Sequence, residues 1–176
     1  MFSAETTDVV IGISPAFGVK LFQTVGGHPL SEVLGVMTDA IAARGLKPRV
    51  GRFKHTADTS FLGLSAARLA GSGIGIGLQA KGTAVIHQRD RLPHNNLELF
   101  SNAPITQVEH YRQLGANAAA YALGEMPEPV VVPMRGQAMG SRYHARVAMI
   151  YAIETALTAK DARPQEIGVK FLKGAS

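Results

Sequence analysis

Residues 71–83 read Gly71 Ser72 Gly73 Ile74 Gly75 Ile76 Gly77 Leu78 Gln79 Ala80 Lys81 Gly82 Thr83, and the apolar Val85 and Ile86 follow. Taken as a strand, the two-residue period sends Gly71, Gly73, Gly75 and Gly77 to one face and Ile74, Ile76 and Leu78 to the other. The isoleucine face packs a core; the glycine face is bare backbone. Glycine inside a strand gives up packing and costs conformational entropy, so such a face implies that a ligand or another backbone approaches it closely. Lys81 stands at the end of that face.

Upstream, Asp8 to Ile13 is a continuous apolar, β-branched run, the pattern of a strand buried on both faces, and Ser14 Pro15 turns the chain. From Ser31 to Arg44, Val33, Leu34, Met37, Ala40 and Ile41 follow helical spacing, with Ser31 as the expected cap and Gly45 as the stop. Pro48 to Lys54 reads as a second strand, and Asp58 or Thr59 can cap a helix that runs through Ala70. Thr83 to His87 is the next strand, while Leu97 to Phe100 is too short to assign.

Thr106 to Leu123 carries Val108, Tyr111, Leu114, Ala118 and Tyr121 along one helical stripe and ends at Gly124. Pro127, Pro129, Pro133 and Gly136 make Glu125 to Gly140 a linker or extended wrap. Ser141 to Thr158 returns to helix, with Tyr143, Val147, Ile150 and Leu157 on one side, and Ile167 to Leu172 reads as a last strand. Strands alternating with helices predict an α/β fold, a three-layer sandwich around a mostly parallel mixed sheet with a C-terminal helical extension. Residues 1–124 form the expected core; 125–176 add a linker and helical extension to the same domain.

The chain of 176 residues fits one domain and contains no cysteine, which removes disulfide frameworks and thiolate metal sites. Its formal net charge of +5 brings nucleic acid to mind, with Lys47, Arg49, Arg52, Lys54 and His55 as the densest basic cluster. Only Phe53 interleaves with that cluster, so no stacking platform for bases is visible and no nucleic-acid partner is expected. The first residues lack a basic region followed by an apolar core, and no apolar run approaches the ~20 residues of a membrane helix. A cytoplasmic protein without membrane association is the expectation.

Familiar site motifs fail on context. Gly75 Ile76 Gly77 Leu78 Gln79 Ala80 has the spacing of a dinucleotide fingerprint, but a glycine and a β-branched strand follow where a helix must begin. Lys81 is followed by Gly82 instead of serine or threonine, which excludes a phosphate loop of the Walker type. Ser14 sits where a hydrolase places its nucleophile, yet Pro15 has no N–H to give an oxyanion hole. The histidines at 28, 55, 87, 94, 110 and 144 show no helical metal spacing. Asp58 reads equally as a helix cap or a ligand contact. Lys81 suits a phosphate, while Gln79 and Thr83 suit amides and hydroxyls.

Arg68 to Thr83, Val85 Ile86 His87 Gln88, Asn96 to Phe100 and Ala103 Pro104 together closely resemble the medium subunit of adenosylcobalamin-dependent diol and glycerol dehydratases. Val10 Ile11 Gly12, Pro15 to Gly18, Tyr111 Arg112 Gln113, Gly115, Asn117, Ala118 and Pro164 Gln165 Glu166 keep the family's order. The resemblance implies a heterohexamer of paired large, medium and small subunits, with a barrel-shaped large subunit carrying the diol site and adenosylcobalamin held between it and this chain. It implies cofactor contacts at Asp58, Gln79, Lys81, Thr83, Asn96, Ser101 and Ala103, no catalytic residue here, and exchange with a reactivating factor. Lys81 would neutralise the nucleotide-loop phosphate. The chain lacks the DxHxxG sequence that supplies a histidine below cobalt in some cobalamin proteins. Ser101 stands where many members have proline, and the chain starts almost at the first strand, so microcompartment packaging is not expected.

Overall fold

A computed structural model describes residues 7–101, 103–133 and 141–168. The chain order is β1 (Asp8–Ile13), α1 (Leu30–Ala43), β2 (Lys47–Arg52), α2 (Thr59–Leu69), β3 (Ile74–Leu78), β4 (Ala84–Gln88), β5 (Glu98–Phe100), α3 (Val108–Ala122), α4 (Ser141–Ala156) and β6 (Gln165–Ile167). One six-stranded sheet has the order β5-β4-β3-β1-β2-β6. The central β3-β1-β2 pairings are parallel, and β4, β5 and β6 add antiparallel strands at the two sides. This is the mixed α/β sheet that the alternating elements predict.

The period-two reading of β3 places its side chains correctly, and β1 is buried on both faces as its continuous apolar run predicts. Val9, Ile11, Ile13, Ile74, Ile76 and Leu78 pack with Val33, Leu34, Met37 and Ile41 of α1 and with Tyr111 and Leu114 of α3. On the opposite face Val10 packs with Phe53 and with Leu62 and Ala66 of α2. Each fully buried isoleucine or leucine of the first cluster contributes roughly 1.5–3 kcal/mol of transfer free energy.

The glycine face belongs to a helix and is closed to a ligand. A Cβ built on Gly75 would stand 2.2 Å from the Ala67 backbone nitrogen, and one on Gly77 would stand 2.2 Å from the Thr59 carbonyl oxygen. The backbone of α2 therefore lies directly on that of β3. The same row continues sideways, because Gly77 pairs with Gly12 and Gly12 with Gly51. At Gly12 a Cβ would meet the Leu62 carbonyl oxygen at 3.0 Å. Of the two visitors compatible with a bare face, a ligand and another backbone, the backbone of α2 is the one present.

Some predicted boundaries move for local reasons. Gly71 and Gly73 lie before β3, because Gly73 turns the chain at φ +80° and its N–H donates to the Ala70 carbonyl. Ser31 does not cap α1: the cap position is Pro29, without a side-chain hydrogen bond. Asp58 does cap α2, accepting from Phe61 N–H at 3.0 Å. The closing strand comes earlier, at Gln165–Ile167, where Glu166 meets Arg49; residues 169–172 of the predicted strand lie outside the described residues. So does the end of the linker, residues 134–140; residues 125–133 form no regular element.

Candidate functional site

The loops after β1, β2 and β3 gather at the carboxyl ends of the parallel strands, beginning with Ser14, Phe53 and Gln79. Helix α1, joining β1 to β2, packs on one face of the sheet, and α2, joining β2 to β3, packs on the other. With β1 lying between β2 and β3, the winding reverses direction between β1 and β3. Such a reversal leaves a crevice beyond the strand ends, the usual place for a ligand in an open α/β sheet.

Gln79 to Thr83 form the turn between β3 and β4. Gln79 N–H donates to the Thr83 carbonyl at 2.9 Å, and Gly82 takes φ +104°. The turn is pinned from α3, because the buried Tyr111 hydroxyl donates to the Gly82 carbonyl at 2.7 Å. Burial holds the Tyr111 phenol well above its usual range. Val25 N–H donates to the Lys81 carbonyl at 3.0 Å, which ties the β1–α1 loop to the same turn.

Lys81 projects from this frame half-buried, with no ion pair among the described residues. Desolvation lowers its pKa, and the charge of Asp58 works in the opposite direction. Gln79 donates through Nε2 to the Ala57 carbonyl, while its buried Oε1 has no hydrogen-bond partner among the described residues. Ala57, Gln79 and Lys81 line a cavity of about 280 Å³ whose far wall is α4: Val147, Ile150, Tyr151 and Glu154. Apolar atoms form most of that wall, with Lys81 and Gln79 at its base.

The expected site residues do not all meet. Asp58, Gln79 and Lys81 are neighbours at the strand ends. Thr83 is close in the turn but buried, and Ala103 is buried in the core beside Gly82. Ser101 is exposed just beyond β5, whose Phe100 pairs with Ala84 at this same end. Asn96 is separated from the group. Since Ile86 pairs with Glu98, Asn96 lies towards the Gln88 end of the β4–β5 pair, and its buried Oδ1 has no partner among the described residues.

Capping and ligand contact by Asp58 can be separated. Asp58→Ala is expected to cost about 1 kcal/mol through the lost cap, read as a shift in the urea midpoint. An unchanged midpoint would leave the side chain free for another role.

Sequence reasoning missed Glu154. It follows Tyr143, Val147 and Ile150 at helical spacing, on the half-buried side of α4, and is itself only 3 % exposed. Its Oε1 accepts from the Ser14 hydroxyl and its Oε2 from Ala16 N–H at 2.6 Å; Ala80 N–H lies 3.4 Å from Oε1 and 3.0 Å from Ser14 Oγ. Burial raises its pKa above the carboxylate norm, while those donors and the charge of Arg52 pull it down. A carboxylate on the apolar stripe of a helix was the signal available. Among the described residues no group of histidine and acidic side chains could hold a metal, and no helix is long and apolar enough to cross a membrane.

Residues 14–128 match the family model described as dehydratase medium subunit. Two solved structures are similar in fold. One is a glycerol dehydratase reactivase, 18% identical with TM-score 0.56 over 69% of this chain and 96% of that one. The other is a diol dehydratase-reactivating factor complexed with ADP and Mg2+, 18% identical with TM-score 0.52 over 71% of this chain and 97% of its own.

Proposed function

The chain belongs to the dehydratase medium-subunit family, and on that premise we propose that it holds adenosylcobalamin against the large subunit of a diol or glycerol dehydratase. The carrying observation is the rim at the strand ends, where a half-buried Lys81, without an ion pair among the described residues, stands beside Gln79, whose Oε1 has no hydrogen-bond partner among them. Cobalamin bears a phosphate and several amide side chains. A lysine suits the first as a point charge, and an unsatisfied amide oxygen suits an N–H of the second. The cavity of about 280 Å³ admits only a substituent of so large a cofactor. The rest would lie across the outer surface, between this chain and its partner.

That surface has the apolar character of a docking face. Phe22 and Phe61 stand exposed on loop and helix at the strand ends, and Met149 is 66% exposed on α4. Apolar side chains left uncovered together mark contact with another protein or ligand. When bound, the cofactor supplies the radical chemistry that converts 1,2-diols or glycerol to aldehydes. This chain's residues bind and orient it, and none acts as an acid or base. The working assembly is a cytoplasmic heterohexamer of paired large, medium and small subunits, served by a reactivating factor.

The test uses the chain co-expressed with its large and small subunits. Lys81→Ala should weaken cobalamin retention after gel filtration roughly tenfold, as for loss of a charge-assisted contact. Retention equal to wild type would remove Lys81 from the site. A second reading, a small subunit of a reactivating factor, draws support from the fold likeness to reactivases. Recovery of an ATPase-like partner in place of a barrel subunit would favour it.

A further inference from the structure

The crevice between β1 and β3 is already filled, and what fills it is the chain's own carboxylate. Ser14 Oγ–H and Ala16 N–H donate to Glu154 from the β1 side, and from the β3 side Ala80 N–H donates to Ser14 Oγ at 3.0 Å and lies 3.4 Å from Glu154 Oε1. Arg52, which donates to the Phe17 carbonyl at 2.7 Å, adds a positive charge felt by Glu154. Lys81 lines the same cavity as Glu154. A hydroxyl, convergent backbone N–H groups and nearby cations at the switch point of an α/β sheet make a cradle for an anion.

Helix α4 sits in that cradle without the packing of a core element. Among its described side chains only Glu154 is buried, Tyr151 and Met149 are largely exposed, and Glu154 itself is held by Ser14 and Ala16 in the loop after β1. The chain is secured on both sides of it. Before α4, the buried Glu98 accepts from Asn117 Nδ2 at 2.9 Å and from Val130 N–H at 3.1 Å. After it, Ala159 N–H donates to the Lys54 carbonyl at 2.7 Å, and β6 joins the sheet.

We propose that Ser14, Ala16 and Ala80 form a binding site for a phosphate-bearing ligand, and that Glu154 occupies it in place of that ligand. The donors prefer an anion, and a phosphate presents more acceptor oxygens than the carboxylate it displaces. Lys81, which lines the same cavity and makes no ion pair among the described residues, would face the bound phosphate. The site deepens the cofactor reading, since the ligand's phosphate would enter where α4 now lies.

Inorganic phosphate is the probe, titrated into the full chain while the Ala16 and Ala80 amide resonances are followed. In wild type these amides should hardly respond. In Glu154→Ala they should shift saturably, with apparent affinity at least roughly fivefold tighter than wild type, and Ser14→Ala in that background should reverse most of the gain. Glu154→Gln, which keeps the volume and removes the charge, should give an intermediate response if the alanine variant is unstable. Amides that ignore phosphate in both variants, or respond equally in wild type, overturn the site. Loss of the fold in both variants also overturns it, by making Glu154 a structural anchor. Phosphate binding without cobalamin retention in the assembled complex would keep the cradle and sink the cofactor reading; the reverse result would do the opposite.

Discussion

Gly77→Ala is expected to lower the stability of the chain by at least about 3 kcal/mol, the upper range for forcing extra volume into a packed interior. The new methyl would stand 2.2 Å from the Thr59 carbonyl oxygen and 2.5 Å from the Gly63 nitrogen. Both are backbone atoms of α2, so no rotamer change relieves the overlap; helix and sheet must separate. Separation would open the second core, where Val10 meets Leu62 and Ala66. The measurement is the urea midpoint, with Gly124→Ala as the comparison, where an added Cβ meets nothing within 4 Å. Gly124 has φ +79°, so its substitution carries a backbone cost alone, of roughly 1 kcal/mol. Equal midpoints for the two variants would contradict the direct seating of α2 on β3.

Arg49→Met should cost about 3–5 kcal/mol, as for any buried pair that loses one partner. Arg49 is 6% exposed and donates at 2.8 Å to Asp8, which is fully buried. Removing the guanidinium leaves the Asp8 carboxylate with the Gly71 N–H but without a charge partner. The same guanidinium grips Glu166 at 2.8 and 3.0 Å, fastening β6 to β2. Glu166 is 41% exposed, so Glu166→Gln should cost no more than about 1 kcal/mol. Arg49 holds the Glu166 carboxyl below its usual pKa, so this contribution is complete at neutral pH and fades as pH falls through that lowered value. Chemical denaturation of both variants at neutral pH checks the ranking; a costlier Glu166→Gln would show that β6 depends on the rim pair more than on the buried one.

Much of the sheet was legible because its period is two. The alternation of Ile74 to Leu78 could pack side chains on one side only and does so, whereas the continuous apolar run Val9 to Ile13 reads as buried on both faces and feeds both cores. Asp58 read equally as a cap or a ligand contact, because an aspartate before a helical run suits both, and the cap is the role its hydrogen bond to Phe61 shows. The occupant of the glycine face was not, because close approach by a helix and by a flat ligand make the same demand for missing side chains. Ser31 misled because Pro29, two residues earlier, already imposes an extended turn before the helix.

The site was legible only where it is local. Gln79 and Lys81 share one turn, so their proximity needs no tertiary knowledge. Asn96 fell within the same family block, but the β4–β5 pairing carries it to the other end of the strands, a consequence of register. Ser14 and Glu154 lie 140 positions apart and meet only because α4 crosses the strand ends. A serine after a strand and a glutamate on a helix carry no mutual signal in one sequence.

The central claim is most directly tested by purifying the chain from cells that also express its neighbouring large and small subunits, then measuring bound cobalamin by its visible absorbance. The account predicts a stable complex with a barrel-type large subunit, carrying about one cobalamin per copy of this chain. A complex formed with an ATPase-like partner, or a barrel complex that binds cobalamin equally well without this chain, would contradict it.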